Sequence, residues 1–205
     1  MTRAILLGAP VLLLLLAWPR PAHADTTCTA AATAMAFGNI ANNAASATPS
    51  TMGITLTCTT SGLTLLADVR VRLCVGIGSG SASTTVLPQR RMTSPSGDAL
   101  AFQLYTDAAR QVPWGLLQGG SPPAQDVQLS YSAPLLGGSG TGTTTVYGVV
   151  PANQTLAAGS YSSAFNAGNV TLTYAYNEVT IGTPSMPASC TAAAATNRKS
   201  ATNRD

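Results

Sequence analysis

The chain has 205 residues, of which 8% are charged and 45% hydrophobic, with a formal net charge of +3, one histidine and four cysteines. Such apolar, thinly charged sequence argues against disorder, and the shortage of charged faces and helix caps argues against a helical bundle. The basic excess is no nucleic-acid patch: Arg3, Arg20, Arg198, Lys199 and Arg204 lie near the two ends, and the five arginines between Asp25 and Cys190 meet five aspartates and one glutamate.

Residues 1–24 read as a signal peptide. Arg3 supplies the positive start, Ile5 to Trp18 the apolar stretch, and Ala22-His23-Ala24 a small-x-small cleavage site. The apolar run is short for a membrane span and ends at Pro19-Arg20-Pro21. Cleavage there starts the mature chain near Asp25, in an oxidising compartment.

Seven segments then read as strands: Ala34 to Ile40, Met52 to Cys58, Leu63 to Ile77, Ala99 to Tyr105, Val127 to Tyr131, Thr144 to Val150 and Val170 to Ile181. Val69-Arg70-Val71-Arg72-Leu73 alternates most strictly, apolar inward and arginine outward. In the fourth segment Leu100, Phe102 and Leu104 share one face, with Gln103 and Tyr105 on the other. Short strands bounded by Gly, Pro, Ser or Asn, with no helical pattern, predict an all-β, Greek-key (immunoglobulin-like) β-sandwich over residues 25–182. The stretch after Tyr174 is long enough to supply the sandwich's last strand from within the chain.

Residues 183–205 read as a linker and disordered tail. Within it, Ser189-Cys190-Thr191-Ala192-Ala193-Ala194 echoes Thr27-Cys28-Thr29-Ala30-Ala31-Ala32. The echo is either the start of a second, truncated domain or chance similarity in alanine- and threonine-rich sequence. The four cysteines Cys28, Cys58, Cys74 and Cys190 allow three pairings into two disulfides.

Three turn regions carry large apolar residues where turns are usually polar: Val86-Leu87-Pro88, Trp114 to Gly120, and Ala133 to Gly138. Leu116, Leu117, Leu135 and Leu136 are therefore candidate surface-binding tips, exposed together for contact with an apolar surface. The alternative is that they fold back over the core, with Trp114 as an anchor.

Catalytic chemistry finds little support. His23 is the only histidine and lies in the leader, which removes Ser-His-Asp and Cys-His arrangements and the commonest metal ligand. Asp98 and Asp107 flank one strand in the manner of a glycosidase pair, but both sit in turn sequences, where aspartate satisfies local amides. Gly76-x-Gly78-x-Gly80 precedes no helix and is no dinucleotide fingerprint. Neither an enzyme nor a cofactor is expected.

One ordered series of motifs resembles a known family. Arg90-x-Met92, a turn, Leu100-x-Phe102-x-Leu104-Tyr105-x-Asp107 and Trp114-Gly115 resemble the spore coat U domain, the building block of archaic chaperone–usher pilus subunits. Upstream, Cys28, Phe37-Gly38 and Ile54 to Cys58 fit its opening; downstream, Thr145 to Pro151, Gly159-Ser160-Tyr161 and Val170 to Tyr174 fit its closing strands. The resemblance implies a Cys28–Cys58 disulfide, leaving Cys74 to pair with Cys190. The rival arrangement keeps Cys74 as a buried thiol and Cys190 paired elsewhere.

The resemblance also implies export through the periplasm to the cell surface. The partners it implies are a periplasmic chaperone, an outer-membrane usher, other pilus subunits and an abiotic or host surface. Subunits of such pili resemble incomplete sandwiches completed by a neighbour's N-terminal strand. Only Asp25-Thr26-Thr27 would precede Cys28 in the mature chain, too little for a donor strand, which points to the tip adhesin. A secreted coat or matrix protein of the same fold is the alternative.

Overall fold

The computed structural model describes residues 25–190 apart from 63, 65 and 167. Eight strands succeed one another: β1 (Asp25–Ala32), β2 (Thr48–Ser61), β3 (Ala67–Ile77), β4 (Arg90–Thr93), β5 (Ala99–Tyr105), β6 (Gln125–Ala133), β7 (Gly137–Val150) and β8 (Val170–Val179). They form a five-stranded sheet in the order β1-β2-β7-β5-β4 and a three-stranded sheet in the order β6-β3-β8. Every named strand pair is antiparallel. The architecture is thus an all-β sandwich of two sheets.

The core follows from alternation. On β3, Val69, Val71, Leu73, Val75 and Ile77 are buried, and they meet Ile54 and Leu56 of β2, Leu100, Phe102 and Leu104 of β5 and Val146 and Val150 of β7. Arg70 and Arg72 point away from that layer, and Arg72 pairs with Asp126 of β6 at 2.8 Å.

Four features depart from the sequence expectations. Ala34 to Ile40 form no strand; the strand that opens the fold is β1, whose Cys28 stands opposite Cys58. Met35 and Phe37 instead tuck into the space left by Gly148, whose Cβ, if it had one, would overlap the Met35 sulfur and the Phe37 ring. A segment that plugs the core cannot also run in a ladder. Secondly, β7 starts at Gly137, well before Thr144, because a side chain at Gly140 or Gly142 would collide with Tyr131 or Leu129 of β6. Glycine there permits β6 to cross close over β7, and it hides the strand from a propensity reading.

The third departure concerns Gln103, expected on an outward face but only 2% exposed. Its amide donates to the carbonyls of Val86 (2.8 Å) and Pro88 (3.1 Å), so the 86–88 loop covers that face. The fourth concerns the boundary at residue 182. Residues 170–179 form one strand paired with β3, so the stretch after Tyr174 continues that strand as the sequence suggests, but the chain does not leave the fold there. After Ile181 the chain turns and runs back along β8: Asn177 donates to the Ser185 carbonyl (2.8 Å), Pro184 and Pro187 are buried, and Cys190 is disulfide-bonded to Cys74. The fold therefore continues past residue 182 and takes in the segment to Cys190. The signal-peptide reading (1–24), and the tail beyond Cys190 with its repeat, lie outside the described residues.

Strand direction defines two poles. Asp25, Ser61, Ala67, Ala133, Gly137 and Val179 gather at one, since the register sets Asp25 against Ser61, Ser61 against Gly137, Ala67 against Ala133 and Asp68 against Val179. Ile77, Gly115, Gln125 and Val170 gather at the other, with the Ile77 amide donating to Gly115.

Candidate functional site

The motif that carries the family resemblance folds into an internal brace. Arg90 is fully buried and, among the described residues, pairs with no carboxylate; its guanidinium donates to the carbonyls of Gly78 (2.6 Å), Ile77 (2.7 Å) and Trp114 (2.5 Å) and to the Gln103 side chain. These partners lie on β5, at the end of β3 and on the following loop, so one side chain ties both sheets together. Burial pushes the pKa of the Arg90 guanidinium down to about 10. Trp114 completes the brace: it is buried, and its indole N–H donates to the Val75 carbonyl at 2.8 Å.

The carboxylates are occupied locally. Asp107 accepts from the amides of Val112 (2.8 Å) and Gln111 (3.1 Å), and those bonds hold its carboxyl below the usual range. Ser96 donates to Asp98 at 2.7 Å, and the Asp98 amide donates to Ser94 at 3.0 Å. Both are turn-forming carboxylates.

Beside β8 the sandwich is open. A cleft of about 550 Å³ runs between the sheets, lined by Ala30, Ala32, Ile54, Val75, Phe102 and Val170 among others. Ala30 and Ala32 sit on the face of β1 that carries Cys28 and the buried Thr26, yet both are exposed, as is Val170 at the start of β8. Inward-type positions meet solvent there because no named strand pairs with the far edge of β8. An apolar floor beside a free strand edge is what β-augmentation requires: main-chain donors and acceptors to extend the ladder, and pockets for alternate side chains. A larger cleft of about 770 Å³ between residues 35–42 and 156–161, floored by Met92 of β4 and Leu100 of β5, has no charged lining residue.

The four candidate tip leucines do not form one surface. Leu116 and Leu117 lie at the Ile77 pole; Leu116 is half-buried, its carbonyl accepting from the Thr171 hydroxyl (3.1 Å), and Leu117 is 50% exposed. Leu135 (54%) and Leu136 (84%) lie at the opposite, Asp25 pole, on the β6–β7 turn. They are joined there by two residues that the turn pattern missed, Leu66 (69%) and Ile181 (93%). Leu66 precedes β3 with a φ of 64°, which is costly for a branched apolar residue. Only the register of β3 with β6 and β8 reveals that these four share a pole. The disulfides are Cys28–Cys58 and Cys74–Cys190, and among the described residues no cysteine is free.

A two-sheet, doubly disulfide-bonded sandwich with no catalytic constellation among the described residues defines a class of structural domain. The chain belongs to the Spore Coat Protein U domain family, whose model matches residues 15–168. It is also similar to Protein U of Myxococcus xanthus, with 32% identity over 100 residues, 48% of this chain and 50% of that protein. The chain therefore spans about half the length of that curated relative. The family is a structural and adhesive one, consistent with pilus-like or coat subunits.

Proposed function

We propose that the chain is an exported subunit of a chaperone–usher-type surface fibre, completed by a strand from a partner and seated at the fibre tip. The observation that carries this reading is the unpaired edge of β8 above the apolar cleft. A periplasmic chaperone would fill the cleft before assembly, and a neighbouring subunit afterwards, with the usher as the exit. The tip position is supported by β1, whose residues from Asp25 onward pair with β2 and are committed to this domain's own ladder. Contact with an abiotic or host surface is assigned to the apolar Asp25 pole.

Co-expression with the chaperone, followed by pull-down and hydrogen exchange, tests the proposal. The β8 amides that do not bond β3 should exchange fast in the free chain and become protected in the complex. Val170→Lys, at an exposed cleft position, should preserve the fold and abolish capture. A chain that melts cooperatively without any partner, with every β8 amide already protected, would overturn the reading. The alternative, a secreted coat or matrix protein of the same fold, is favoured by the wording of the family's description and would show itself as export without chaperone capture.

A further inference from the structure

The two disulfides close loops that follow one another along the chain: Cys28–Cys58 spans 30 residues and Cys74–Cys190 spans 116. They neither nest nor interlock. A covalent route therefore crosses the domain from Asp25 to Cys28, over the first sulfur bridge to Cys58, along the chain to Cys74, and over the second bridge to Cys190. Everything inside the two loops lies off that route. We infer that the domain is a tension-bearing link of limited extensibility, in which the disulfides divert a pull on the chain ends away from most of the fold.

The geometry suits that role. The pull enters at one pole, where β1 begins, and leaves at Cys190, which sits beside Gln118 of the opposite loop region: the Cys190 amide donates to the Gln118 side chain at 2.8 Å. The bridges anchor at Cys58 on β2, which is flanked by β1 and β7, and at Cys74 on β3, which is flanked by β6 and β8. Both are interior strands. Between Cys58 and Cys74 the route includes Ala67–Leu73, paired residue by residue on the β6 side and from Asp68 onward on the β8 side, with Val69, Val71 and Leu73 buried. A pull along β3 loads both ladders in shear, and the edge strand β8 is not peeled.

The extensible stretch is about 16 residues, which at ~3.5 Å each reaches on the order of 60 Å. The loops hold about 100 Å and about 400 Å of chain on the same measure. This inference rests on the disulfide order and not on the fibre reading, so the chaperone experiment can fail while this one succeeds, and the reverse.

The test is single-molecule force extension of the mature chain with handles fused before Asp25 and after Asp205. Oxidised protein should unfold in steps that total no more than about 70 Å for the domain. Adding a phosphine reductant at constant force should then release about 100 Å and about 400 Å in two further events. Oxidised Cys74→Ser/Cys190→Ser protein should lengthen by the larger amount alone. An oxidised domain that releases hundreds of ångströms, or one that gains no length after mass spectrometry confirms four thiols, overturns the inference. Because the reduction is performed on wild-type molecules that folded before they were stretched, the experiment decides the matter even where the serine variant does not fold.

Discussion

Arg90 shows how a charged residue becomes structural. Burying a guanidinium without a carboxylate is tolerable only when its donors are answered, and here three carbonyls and a glutamine do so. Arg90→Met should cost about 3 kcal/mol, since the carbonyls of Ile77, Gly78 and Trp114 lose a charged donor in a dry site. Arg90→Lys should recover little of that, because one ammonium cannot present the planar fork that reaches both sheets. Urea denaturation of the oxidised protein measures both; a Lys variant as stable as wild type would show that charge, not geometry, matters. In sequence Arg90 was visible as part of a motif, but its neighbour Arg91 has the same chemistry and is exposed. Only the cross-strand pairing of Arg90 with Phe102 says which of the two turns inward.

At the scale of elements, legibility tracked side-chain alternation. β3 and β5 were readable because buried and less buried positions alternate along them; β7 was half readable, its glycine-rich beginning having no side chains to alternate. β4 escapes a pattern reading, being four residues long with three polar side chains. The 34–40 stretch misled because Met35, Phe37 and Ile40 are apolar for a different reason, as plugs of the core. Gly148 is the other half of that plug, and Gly148→Val should destabilise by about 1–3 kcal/mol through overpacking. Combining it with Met35→Ala should return part of the loss, since the new methyl groups then occupy the vacated sulfur site. The midpoint of denaturant unfolding reads this coupling. Strictly additive losses would mean that Met35 is not what fills the space above Gly148.

At the scale of the molecule, the two poles differ in what surrounds their apolar residues. The Ile77 pole is built into the fold: Leu116 bonds Thr171 through its carbonyl, Gly115 packs against Pro122, and Cys190 is fastened beside Gln118. The Asp25 pole instead presents Leu66, Leu135, Leu136 and Ile181 outward, each more than half exposed. Such residues forgo roughly 1.5–3 kcal/mol of burial apiece, and the proposed contact with an apolar surface would give their clustering a use. Sequence pattern alone could mark apolar turns but not sort them by pole, and it therefore grouped Leu116 with Leu136. Replacing Leu66, Leu135, Leu136 and Ile181 by serine should leave the melting temperature nearly unchanged, since each substitution at such exposed sites falls within about 0.5 kcal/mol. Attachment to a hydrophobic surface should drop several-fold. Leu116→Ser should do the opposite, costing about 1 kcal/mol of stability while attachment persists. Scanning calorimetry and bead adhesion on the same preparations separate the two patterns. If the four-serine protein attaches as well as wild type and the Leu116 variant does not, the contact surface belongs to the Ile77 pole.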